Sequence, residues 1–141
     1  MTCIACEAKP PGGAIFAGEQ WIVEHTIGTL GVGTLIVKPR RHVVHVGELT
    51  DAEALELGPL LQRAERVVRE LTGADQVYVC LWSHMHREPG HIHFVVQPVT
   101  KALMAEHDLY GPELQVALFR AGVEPDEDAA VAFAAAARDR W

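Results

Sequence analysis

Long apolar runs are missing from this chain. No stretch approaches the roughly 20 residues that a membrane-spanning helix requires. Basic charge is also short: 12 Lys and Arg face 19 Asp and Glu, for a formal charge of −7. That balance argues against coating a nucleic-acid polymer or an anionic membrane through bulk charge. A small phosphorylated ligand, which needs only a few local donors, stays open. Cysteine is scarce too, with 3 residues, which argues against a disulfide scaffold. MTCIACEAK has neither the basic start nor the apolar core of a signal peptide, so the expected location is the cytoplasm. Repeats, low-complexity tracts and linkers are absent.

What is present suits one globular domain. The chain has 141 residues, 49% hydrophobic and 22% charged, enough for a core of ordinary size. AIFAG (14–18) and WIVEHT (21–26) read as a hairpin, and TLIVKP (34–39) as a third strand closed by Pro39. Thr50 and Glu53 form a capping box for a long helix. Leu57, Leu60, Leu61, Ala64, Val67, Val68 and Leu71 share one of its faces, and Gly73 stops it. Gly58-Pro59 predicts a kink early in that helix. QVYVCLW (76–82) and HIHFVVQPV (91–99) read as paired strands joined by a loop, SHMHREPG (83–90). From residue 101 the pattern is helical, and Pro125 with the acids around it suits a helix start. The expected class is α+β: an antiparallel sheet of about five strands, one long central helix and a helical C-terminal tail.

Two places carry chemistry. In the strand from residue 91, Ile92, Phe94 and Val96 make an apolar face. The opposite face carries His91, His93, Val95 and Gln97, with the two imidazoles roughly 6.5–7 Å apart at about 3.3 Å per residue. The other place is Cys3-x-x-Cys6, two thiolates spaced for tetrahedral zinc. A redox pair is expected after a strand and opening a helix, whereas this one starts the chain. Two further ligands must come from elsewhere, and the histidines at the end of PRRH and the start of HIH are candidates. Cys80, in VYVCLW, reads as core.

Together, CIACEA, TLIVKPRRH (34–42), the capped helix from Thr50, VYVCLW and PGHIHFVVQP (89–98) make residues 1–100 resemble the histidine triad family. The resemblance implies an α+β homodimer that binds nucleotides and hydrolyses or transfers nucleoside phosphates through a histidine nucleophile. It places residues 1–100 in the family's domain, with an N-terminal zinc knuckle, and leaves 101–141 as a helical extension. The family motif is His-φ-His-φ-His-φ-φ. On it His91 is the first histidine and His93 the nucleophile, while Val95 stands where the third belongs. The zinc-containing members imply Cys3, Cys6, His42 and His91 as ligands of a structural Zn²⁺, with His45 as the alternative to His42.

The same resemblance sets Thr26 where an Asp commonly holds the ribose, and Thr34 where a His commonly follows a Gly. Ile15, Phe16, Trp21 and Ile22 are either a base-stacking wall or core, and Trp82 divides the same way. Phosphate oxygens need donors, and Ser83, His84, His86, Arg87, the N–H groups near Gly90 and Gln97 are the candidates. Val95 neither donates nor accepts a hydrogen bond, so polyphosphate leaving groups are expected over amines or alkoxides, the alternative being that His84 or His86 supplies the missing proton. Two functions follow: a hydrolase or nucleotidyltransferase acting on the α-phosphate of a nucleoside polyphosphate, or a zinc-stabilised nucleotide-binding module with little turnover. The expected partners are a nucleotide or other phosphorylated small molecule and a second copy of the chain, with no nucleic-acid polymer and no membrane.

Overall fold

The computed structural model describes residues 2–141. After a single turn of helix, α1 (Ile4–Glu7), the strands β1 (Ala14–Ala17), β2 (Trp21–His25) and β3 (Leu35–Pro39) form an antiparallel meander. The long helix α2 (Asp51–Thr72) then leads to the hairpin of β4 (Gln76–Met85) and β5 (Glu88–Val99). β5 pairs β3, so the sheet order is β1-β2-β3-β5-β4.

Strand alternation sorts the side chains. Trp21 and Val23 of β2, Leu35 and Val37 of β3, Val77 of β4 and Val96 of β5 face Leu60, Ala64, Val67 and Val68 of α2. Each such aliphatic side chain stabilises the fold by about 1.5–3 kcal/mol on full burial. The capping box is as expected: Thr50 Oγ1 accepts from the Glu53 N–H at 3.2 Å, and Glu53 Oε2 accepts from the Thr50 N–H at 2.9 Å. Gly73 ends the helix with φ 64°, the left-handed conformation that glycine adopts without steric cost. The helix is continuous through Pro59.

The stretch 83–90 differs from the sequence expectation. It is not a loop: β4 runs to Met85 and β5 starts at Glu88, leaving His86 and Arg87 as a two-residue turn. His86 takes φ 60° there. The usual Asn-Gly or Gly signal for such a turn is absent, which hides the hairpin from the sequence. The pairing register shifts between Trp82 and His84, where Gly90, His91 and Ile92 stand opposite Ser83 alone. Gly90 suits this bulge, because a Cβ would crowd Met85, at 3.0 Å from its Cβ and 3.1 Å from its N.

Beyond the sheet come α3 (Lys101–His107), α4 (Gly111–Ala121) and α5 (Glu127–Arg140). α5 belongs to the core, with Ala134 and Ala137 buried among the residues packed between the sheet and α2. Trp141 stacks on Phe16 with ring centroids 5.4 Å apart, and Arg63 lies over the Trp141 ring at 5.7 Å. No helix among the described residues is long and apolar enough to cross a membrane.

Candidate functional site

The sheet face turned away from α2 floors a cavity of about 450 Å³. β5 brings His91, His93 and Val95 to it, β4 brings Trp82, Ser83 and His84, and β2 with the segment after it brings Thr26. α4 closes one side with Phe119, whose ring meets Trp82 edge-on at 5.7 Å.

His91 and His93 use opposite ring nitrogens. His93 Nδ1 donates to the His91 carbonyl at 3.1 Å. A carbonyl accepts only from a protonated nitrogen, so in the neutral ring Nε2 keeps its lone pair. His91 Nε2 donates to the Pro39 carbonyl at 2.9 Å. Its Nδ1 faces sulfur, 3.1 Å from Cys6 Sγ and 3.8 Å from Cys3 Sγ. The bulge opposite Ser83 makes this possible. It frees the Ile92 N–H to bond Val43 O at 2.8 Å and swings the strand toward the segment carrying Pro39 and His42. Burial holds His91 below the ordinary histidine pKa, outweighing the bond to Pro39.

The donor atoms of Cys3, Cys6, His42 and His91 all lie within 4.8 Å of one another. His42 Nδ1 is 3.4 Å from Cys6 Sγ. His42 therefore stands in this cluster and His45 does not. The donor set suits a tetrahedral divalent cation: two sulfurs and two imidazole nitrogens, with the Pro39 carbonyl orienting one ring from behind. Among protein groups alone, burial and the hydrogen bond with Cys3 push the Cys6 thiol up to about 11. A divalent cation held by these four residues would supply the charge that lets both sulfurs ionise.

Several expected residues meet at the cavity: His93, Ser83, His84, Trp82 and Thr26, with His86 as well. Thr26 Oγ1 accepts from the Gly28 N–H at 2.9 Å, which shapes the turn after β2. Other expected residues lie elsewhere, and Arg87 is not among those that line the cavity. Phe16 stacks on Trp141 on the α2 side of the sheet. Gln97 is fully buried, accepting from Gln115 Nε2 at 2.9 Å and donating to Leu30 O at 3.4 Å, so its polar groups are spent inside the fold. Ile15 and Trp21 are core, and the indole N–H of Trp21 donates to Glu53 O at 2.8 Å. Thr34 Oγ1 donates to Leu30 O at 3.1 Å.

The sequence reading missed Glu24 and Lys38. Both line the cavity, and Lys38 Nζ bonds Glu24 Oε1 at 2.6 Å. Burial raises the Glu24 carboxyl pKa, while Lys38 opposes the shift. The available signal was weak: one charged residue on the face opposite the core in each of two strands rich in apolar residues.

No protein-family model and no curated protein matches the sequence. Solved structures do match the fold. A zinc-bound histidine triad family protein from Mycobacterium smegmatis superposes with a TM-score of 0.65 at 20% identity, covering 99% of this chain and 95% of that one. A histidine triad protein from Bradyrhizobium japonicum gives 0.71 at 18% identity, covering 91% and 90%. This chain has the histidine triad fold. It also spans 27% of the NitFhit protein of C. elegans, with a TM-score of 0.67, 14% identity and 91% of this chain covered. Val95, which the sequence resemblance sets at the third motif position, is 2% exposed and adds only an apolar patch to the cavity.

Proposed function

We propose that the chain binds a nucleoside polyphosphate and transfers its α-phosphoryl group to His93, then to water or another acceptor. The observation that carries this reading is the tautomer of His93. With Nδ1–H engaged by the His91 carbonyl, Nε2 is the nitrogen left to react at the cavity wall. That lone pair attacks the α-phosphorus in line, a P–N bond forms, and the P–O bond to the polyphosphate breaks with its electron pair on the leaving oxygen. Water then attacks the same phosphorus, the P–N bond breaks, and the water proton passes to solvent. Ser83 and His84 stand in the same cavity as donors for the phosphate oxygens, and Thr26 toward the sugar. Val95 offers no proton, so a leaving group already stable as an anion is favoured.

Cys3, Cys6, His42 and His91 would hold Zn²⁺. Two thiolates and two neutral imidazoles would cancel its charge, and the four ligands so joined would tie the N-terminal turn to the sheet. A homodimer accompanies this reading. β4 is an edge strand with Val79 42% and Leu81 36% exposed, apolar surface that a second copy would cover.

A second reading rests on the same Val95: a module that binds the nucleotide and turns it over little. Incubation with a dinucleoside polyphosphate labelled at the α-phosphate separates the two. Acid-labile label on the protein, abolished by His93→Ala, supports the enzyme. Bound nucleotide with neither label nor product supports the module. No binding of any nucleoside phosphate would sink both.

A further inference from the structure

Glu24 and Lys38 form a polar patch on the cavity wall that the phosphate chemistry leaves unused. They are 7% and 5% exposed. Lys38 donates to Glu24 Oε1 at 2.6 Å and also to the Ala5 carbonyl in the turn between the two cysteines. An ammonium has three N–H groups, so one remains. Among the described residues, Lys38 is the only hydrogen-bond donor to the Glu24 side chain, which leaves most of that carboxylate's accepting capacity open. Buried charge with unused valences is costly unless a ligand or water fills them. The wall therefore presents one cationic donor beside an anionic double acceptor.

Apolar surface adjoins this patch. Glu24 pairs with Ile36 in register, and Ile36 with Val95, so the three form a row across the sheet, and all three line the cavity. At about 4.8 Å per strand and 3.3 Å per residue, the Cα of Glu24 stands roughly 12 Å from that of His93. That is room for a sugar between a base at one end and a phosphate at the other. The isoleucine and valine side chains supply a flat contact for a ring.

We propose that Glu24 and Lys38 read the base of the bound nucleotide and select guanine. This inference rests on the nucleotide reading above. Guanine carries one acceptor, O6, next to two donors, N1–H and the N2 amine. The acceptor meets the remaining Lys38 N–H, and the two donors meet the Glu24 carboxylate. Adenine offers only one donor on the corresponding edge and leaves accepting capacity unfilled. Uracil flanks its single N–H with two carbonyls, one of which is turned against the carboxylate.

Calorimetric titration of the full chain with GMP, IMP and AMP tests the assignment. IMP keeps O6 and N1–H but lacks the amine, so the expected order is GMP, then IMP, then AMP. The expected gap between GMP and AMP is at least about tenfold, given the charge-assisted hydrogen bonds that guanine makes beyond the one open to adenine. Glu24→Gln replaces one acceptor by a donor and should abolish the preference for GMP over AMP. AMP binding as tightly as GMP overturns the base assignment and leaves the nucleotide reading standing. A GMP preference that survives in Glu24→Gln overturns it as well. If the variant fails to fold, the order of the three ligands on the unaltered chain decides alone. Failure of all three to bind, and of a dinucleoside polyphosphate titrated beside them, overturns the nucleotide reading itself, and this inference with it.

Discussion

Gly33 donates its N–H to Nε2 of the buried His25 at 2.9 Å, while the other ring nitrogen of His25 donates to the Thr26 carbonyl at 2.8 Å. The imidazole thus pins both ends of the segment between β2 and β3, and it can do so only while neutral. Burial lowers its pKa. A histidine with a depressed folded pKa favours the fold fully above its unfolded value, about 6.5, and progressively less as pH falls below that value. Urea unfolding of the unaltered chain and of His25→Gln should therefore show a stability difference that is largest near pH 7 and shrinks by pH 5. A difference that stays constant or grows in acid would contradict the assignment of Nε2 as an acceptor.

The metal cluster predicts an asymmetry between neighbouring histidines. His42→Ala and Cys6→Ser should each lose stoichiometric zinc and show a melting temperature that no longer responds to a chelator. His45→Ala should retain both metal and response, because only His42 has its nitrogen among the sulfurs. Metal analysis beside thermal melts with and without chelator makes the comparison. Equal loss in His42→Ala and His45→Ala would remove His42 from the ligand set.

Val95 predicts a limit on leaving groups. With no proton donor at that position, a nucleoside phosphoramidate should turn over far more slowly than a dinucleoside polyphosphate. Placing a donor there by Val95→His should recover about a hundredfold on the phosphoramidate, at the low end of general acid catalysis. Single-turnover rates on the two substrates report this. No gain, in a variant that still folds and binds, would show that protonation is not what the site lacks.

The C-terminal helix predicts a cost for enlarging its small residues. Ala134 is fully buried, and its Cβ lies 3.0 Å from the position of a Cβ built on Gly12. Ala134→Leu should cost about 1–3 kcal/mol by overpacking. Ala129→Leu, on the exposed face of the same helix, should change little. Denaturant midpoints of the two variants give the answer, and equal effects would mean that α5 is not docked as described.

Most of the architecture was legible because the local signals agree with one another. The Thr50–Glu53 box, the apolar stripe of α2 and Gly73 all point to one helix, and strand alternation sorted Ile92, Phe94 and Val96 from His91 and His93. The cluster of Cys3, Cys6, His42 and His91 was legible through resemblance. What escaped depends on distant contacts. Gln97 shares a face with His93 by alternation, yet Gln115 claims it from a helix 18 residues later. Phe16 was expected at a base, yet Trp141 stacks on it from the far end of the chain. Glu24 and Lys38 look like ordinary surface charges until the strands pair. The hairpin at 83–90 hid because His86 adopts a backbone that composition assigns to Gly or Asn.

The bulge opposite Ser83 behaves as a joint with slack in it. Three residues of β5 are taken up against one of β4, so the outer rungs, His84 with Pro89 and Met85 with Glu88, are decoupled in register from the rung of Trp82 and His93. The tip of the hairpin can thus be exchanged as a cassette. A graft there would redecorate the rim that greets an incoming molecule while the two imidazoles further down the strand keep their stations.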